Sequence, residues 1–167
     1  LSNRTDENQQ QIYLVPFNGG EARRLSDLKG TFGRFDWAPD GRQLVCSFRK
    51  RDEEDIQREG NEQKKKLGVV SRRIARVNFK FDEAGFLPRE RWHIWTINTR
   101  TGRAKQLTDG EIHDEQEPRW SPDGRSIAFV SNRSDDPDFD PEAVDLFVMP
   151  GKGGEPRKIE TPLGGKK

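Results

Sequence analysis

Apolar and polar positions trade places in short runs along this chain, and the runs repeat. Residues 37–49 read WAPDGRQLVCSFR and residues 120–133 read WSPDGRSIAFVSNR. Each begins with a Trp-x-Pro-Asp-Gly-Arg turn and continues into β-branched and aromatic residues, the pattern of a strand bounded by turn residues. One such unit cannot bury both of its faces. Repeated copies therefore predict a stacked, radial β architecture.

A second block follows the turn-and-strand unit. Its three copies are QIYLVPFNGGEARRLSD (11–27), HIWTINTRTGRAKQLTD (93–109) and DLFVMPGKGGEPRKIET (145–161). Each reads as a strand, a glycine turn and a short strand, with Gly19-Gly20, Thr101-Gly102 and Gly153-Gly154 supplying positive φ. The order gives a map of four-stranded blades. A first blade contributes strands near 11–17 and 21–26, and Leu1–Arg4 resemble the end of its second strand, as at 130–133. A second has strands near 34–38, 43–49, 92–98 and 103–108. A third has strands near 117–121, 125–132, 145–149 and 156–160. The expected division is a blade end at 1–27, a blade at 28–109, a blade at 110–161 and a tail at 162–167. All of them belong to one domain, about two and a half blades of an all-β partial propeller.

Spacing locates an insertion. Leu107 and Ile159 stand 52 residues apart, one blade length, whereas Leu25 and Leu107 stand 82 apart. Residues 51–90 hold no further Pro-Asp-Gly turn or Gly-Gly hairpin, so they are read as an addition to the second blade. Segment 50–66 has Ile56 as its only large apolar residue and reads as a solvated loop or frayed helix. Residues 73–87 alternate through Val77, Phe79 and Phe81 around the turn Asp82–Gly85, which predicts an added β-hairpin.

Composition fits a closed domain poorly, with 30% of the 167 residues hydrophobic and 35% charged: either much of the chain is loop, or it is a piece of something larger. The 30 basic and 29 acidic residues nearly cancel, so no global field favours nucleic acid or a membrane surface as partner. No apolar run reaches the ~20 residues that span a bilayer. The chain starts at Leu1, which reads as a processed or experimental boundary. The expected compartment is the cytoplasm in preference to the periplasm or secretion. An open stack of blades leaves strand edges unpaired, which predicts homo-oligomers or strand-swapped association.

The chemistry-bearing residues are few. There is no Gly-x-Ser-x-Gly elbow. His93 reads as a packed strand histidine and His113 as a surface-loop histidine. Cys46 lies in an apolar run and reads as a buried, inert thiol. Asp136, Asp138 and Asp140 have the first alternate positions of a calcium loop, but Pro141 and Phe147 stand where the glycine and bidentate glutamate belong, so the pattern is weak. No catalytic residue and no cofactor are expected. Trp37, Asp40, Gly41, Trp120, Asp123 and Gly124 read as architecture: the aspartates accept turn N–H groups, the glycines take positive φ, and the tryptophans pack between blades.

These repeats resemble the propeller repeats of prolyl-oligopeptidase-family serine peptidases and of TolB. The insertion, with FDEAGFL at 81–87, RWHIW at 91–95 and TGRAKQLTDG at 101–110, resembles the acylaminoacyl-peptidase (dipeptidyl-peptidase-like) branch. The resemblance spans residues 11 to 161 and implies a non-catalytic propeller that gates access to an α/β-hydrolase domain of the parent, acting on short peptides. That parent would release acylated or unblocked residues or dipeptides. The alternative is a TolB-like interaction module with no catalytic partner domain. A sugar- or lactone-processing propeller with a central metal lacks the ligands.

Overall fold

The computed structural model describes residues 1–4, 9–69, 71, 74, 77, 79–81 and 85–160. Two four-stranded antiparallel sheets dominate it. The first has the order β3 (Gly30–Trp37), β4 (Gln43–Lys50), β7 (Trp92–Asn98), β8 (Ala104–Gln106). The second runs β9 (Glu115–Trp120), β10 (Ser126–Asn132), β11 (Val144–Pro150), β12 (Arg157–Lys158). Ahead of them, β1 (Tyr13–Leu14) pairs with β2 (Arg23–Arg24) as half of a blade. Among the described residues no sheet closes on itself, and the chain is a partial β-propeller.

The N-terminal residues extend the half-blade. Ser2 and Gln11 form an antiparallel bridge, with N–H···O distances of 2.9 and 2.8 Å. The register matches Ser131 opposite Asp145 in the third blade and Phe48 opposite His93 in the second. The three blocks repeat other bonds too. Leu25, Leu107 and Ile159 each donate N–H to the carbonyl of Ile12, Ile94 and Leu146 respectively, all at 2.8 Å.

Strand alternation sends side chains to both faces of each blade, and packing decides which faces are buried. Leu44, Cys46 and Phe48 of β4 pack with Trp95 and Ile97 against Ile12 and Leu25 of the half-blade. Val45 and Ile94, on the opposite face, pack against Ile127, Phe129, Phe147 and Met149 of the third blade. The middle blade is thus covered on both sides, and its central strands are buried along five successive residues each instead of alternating. In β10 burial alternates strictly, because only one face has a neighbour. The face carrying Ala128, Val130, Leu146 and Val148 is left open.

The insertion contains two short helices, α1 (Glu53–Glu59) and α2 (Glu62–Leu67), with no buried residue in either. The charged composition expected of a solvated segment explains this: neither helix has an apolar stripe to dock. β5 (Lys80–Phe81) pairs with β6 (Gly85–Phe86) as the expected hairpin, but as its own two-stranded sheet and not as a fifth strand of the blade. Asp82, Glu83 and Ala84 of its turn lie outside the described residues.

Candidate functional site

The two Pro-Asp-Gly turns are built alike. Gly41 and Gly124 both have φ of 68°, and each donates N–H back across the turn, to Ala38 at 2.8 Å and Ser121 at 2.9 Å. Asp40 Oδ1 accepts the Arg42 N–H at 2.9 Å, and Asp123 Oδ1 accepts the Arg125 N–H at 3.0 Å. The second turn adds a hydroxyl: Ser121 Oγ donates to Asp123 and accepts from the Ser126 N–H. That hydroxyl, followed by the Arg125 N–H, holds the Asp123 carboxyl below the usual carboxylate range. The side-chain job is fastening the turn.

The two tryptophans differ. Trp120 is partly buried against the cluster between the second and third blades. Trp37 is 48% exposed: among the described residues, the half-blade ahead of it supplies no inner strand to cover it. Trp120 N–H also donates to Asp36 Oδ2 at 3.0 Å, a bond between inner strands that no local pattern announces.

The inner strands β3 and β9 meet along a rim. Each is bulged, between Phe32 and Phe35 and opposite Ala128–Val130. The bulges place Arg34 beside Glu117, Nε to Oε1 3.4 Å, with both side chains largely in solvent. Glu117 has φ of 52°, the one positive value outside glycine among the described residues. Such conformations carry local strain of the kind found at binding sites. Beneath the pair is a cavity of about 320 Å³ lined by Gly33, Ser47, Trp92 and Gln116 among others. Gly33 permits it: a Cβ there would lie 2.4 Å from Ser47 Oγ and 3.2 Å from the Trp92 ring.

A second polar cluster is buried between blades. Glu115 is 1% exposed and His93 4%. Glu115 Oε2 lies 2.8 Å from His93 Nδ1 and accepts from Thr108 Oγ1 at 2.9 Å, while Oε1 accepts from Arg133 at 3.0 Å. His93 Nε2 lies 3.1 Å from the Gly110 carbonyl. Both ring nitrogens are engaged, so neither is open to take a proton from a nucleophile. His93 is the packed strand histidine that its setting between Trp92 and Ile94 implied. No local pattern points to its partner Glu115, because the contact spans 22 residues and two sheets.

The remaining candidates are placed as follows. His113 Nδ1 lies 2.9 Å from the Asn132 carbonyl, in a half-buried loop. Cys46 is fully buried and desolvation pushes its thiol up to about 12. Asp136, Asp138 and Asp140 are not brought together: among the described residues no group of three or more His, Cys, Asp or Glu could hold a metal. Asp136 Oδ1 instead accepts the Asp138 N–H at 3.2 Å, a local turn that keeps the loop's own backbone satisfied. A larger cavity, about 510 Å³, lies under the insertion between α1 and the segment leading into β7.

Comparison with known proteins places this geometry. No family model matches the chain. It is 42% identical over 73 residues to the uncharacterized peptidase YuxL of Bacillus subtilis (strain 168), a match covering 43% of this chain and 10% of that relative. The acylaminoacyl peptidase of Pyrococcus horikoshii superposes with a TM-score of 0.64 at 21% identity, over 90% of this chain and 21% of that one. A TolB structure from Agrobacterium tumefaciens gives 0.50 at 19% identity, over 89% of this chain and 40% of that one. The chain thus spans a tenth to two fifths of the proteins it matches. Fold and sequence agree with the resemblance read from the repeats: the chain is a partial β-propeller of the kind carried by prolyl-oligopeptidase-family peptidases and by TolB.

Proposed function

We propose that this chain is the gating, non-catalytic part of a serine peptidase whose α/β-hydrolase domain lies elsewhere in the parent protein. The parent takes short peptides and releases acylated or unblocked residues or dipeptides. The observation that carries this reading is the 42% identity over 73 residues to a peptidase, far above the 19–21% of the fold neighbours. The closer superposition on an acylaminoacyl peptidase than on TolB, 0.64 against 0.50, supports the same choice over an interaction module.

The inner rim has the groups a peptide gate needs. Arg34 offers a cation and Glu117 an anion, on backbone held by bulges. Their mutual pairing in solvent is weak, about 0–1 kcal/mol, so either can be recruited by a passing chain at little cost. The test is hydrolysis by the parent protein of N-acetylated and free chromogenic peptides of increasing length. The expected result is activity that falls with length and relaxes in the Arg34→Ala/Glu117→Ala parent. Length-independent hydrolysis by the unaltered parent, or none, would overturn the reading.

A further inference from the structure

Both ring nitrogens of His93 face acceptors. Nδ1 lies 2.8 Å from the Glu115 carboxylate and Nε2 lies 3.1 Å from the Gly110 carbonyl. A neutral imidazole has one N–H and one lone pair. With the hydrogen on Nδ1, the Nε2 lone pair opposes a carbonyl. With it on Nε2, the Nδ1 lone pair opposes a carboxylate, unless Glu115 itself carries a proton. Both contacts are made only when the pair holds one proton more than a neutral ring and an ionised carboxylate. That proton belongs to the pair and not to either residue alone. Water is a poor substitute partner, since both side chains are almost fully buried.

The equivalent joint in the preceding blade needs no such proton. Gln11 occupies the position of His93, and Phe32 that of Glu115, counting from the start of each block and from each Trp. Gln11 Nε2 donates to the Leu28 carbonyl at 2.8 Å, as His93 Nε2 reaches Gly110, and its Oε1 accepts from Ser26 Oγ at 2.6 Å. An amide meets both demands at any pH.

We propose that the His93–Glu115 pair is a proton-dependent tie joining the second blade and its outgoing connection to the inner strand of the third. Glu115 begins β9, while His93 is the second residue of β7 and Gly110 lies on the connection between the two blades. Charged groups near the pair among the described residues include Arg133, which follows β10 and donates to Glu115, and Arg91, two residues before His93 and ion-paired with Asp114 at 3.4 Å. From β4 the residue opposite His93 is the apolar Phe48. In this geometry the second contact of the ring depends on that proton, so the tie is made in full only while the pair holds it.

Two measurements on the 167-residue chain test this. In the first, histidine-labelled protein is examined by ¹⁵N NMR at pH 7.5, where a free imidazole of pKa ~6.5 is mostly neutral. The expected result is that both His93 nitrogens are protonated, or that Nε2 is protonated beside a Glu115 carboxyl whose infrared band is that of the acid; a ring with one bare nitrogen beside an ionised Glu115 overturns the proposal. In the second, urea unfolding compares the wild type with the His93→Gln/Glu115→Phe variant, which copies the preceding joint. Between pH 6 and pH 9 the wild-type folding constant is expected to fall about tenfold more than the variant's, the worth of one charge-assisted hydrogen bond. Parallel pH curves overturn the tie. If the variant does not fold, the NMR spectrum alone decides.

Discussion

Replacing Thr108 by valine removes one hydroxyl without opening a cavity, and the structure says what that hydroxyl does. Thr108 Oγ1 accepts the Ile94 N–H at 2.8 Å and donates to Glu115 Oε2 at 2.9 Å. The variant strands a buried backbone donor, at about 1–3 kcal/mol, and takes a hydrogen bond from a charged acceptor, at about 1.5–3 kcal/mol. The two losses share one site and overlap, so about 3 kcal/mol is expected. Ser26 is the built-in comparison. Its hydroxyl makes the same bond to the Ile12 N–H, 2.8 Å, but donates to the neutral amide of Gln11. Ser26→Ala should therefore cost about 2 kcal/mol, since the second bond is an ordinary one of about 1 kcal/mol. The assay is urea unfolding followed by tryptophan fluorescence at one protein concentration. A Thr108→Val protein within about 0.5 kcal/mol of wild type would refute the reasoning, because every stated cost is larger.

Further predictions follow from other parts of the fold. Cys46 should resist thiol reagents in the folded chain and react at once in urea. Because its folded value is raised to about 12 from 9.0, stability should fall as pH climbs from about 9, a slope that Cys46→Ala removes; pH-dependent unfolding above pH 9 measures it. Gly33→Ala places a methyl group 2.4 Å from Ser47 Oγ, so thermal unfolding should show a loss of about 1–3 kcal/mol. Leu146, 36% exposed on the open face of the third blade, should drive self-association of the isolated chain, and sedimentation should show Leu146→Glu shifting it toward monomer.

Much of the fold is legible in the sequence because the repeat is written in local chemistry. Asp40 and Asp123 fasten their turns within two residues, and Gly102 takes φ of 73° at the hairpin its Thr-Gly pair implies. Leu1–Arg4 can be placed because the third blade supplies a template for them, and the Ser2–Gln11 bridge has the same register. What the sequence hides is non-local. The bulges of β3 and β9, the positive φ of Glu117 and the Asp36–Trp120 bond depend on two strands far apart in the chain meeting at an inner rim. The Glu115 cluster is hidden for the same reason, although one signal existed: aligning the three blocks puts Gln11 and His93 at one position and Ser26 and Thr108 at another, a polar pair recurring where strands should be apolar. The calcium-loop pattern shows the converse. Alternating aspartates have the spacing in sequence, yet among the described residues they form no group of three that could hold a metal ion.

The central claim is that this propeller serves a catalytic domain it does not itself contain. Labelling the parent protein with a serine-directed fluorophosphonate, followed by peptide mapping, tests it most directly. The account predicts a single labelled serine in a segment outside these 167 residues, with the label lost when peptide substrate competes. A parent that takes no label, or a labelled serine within the 167 residues, would contradict it.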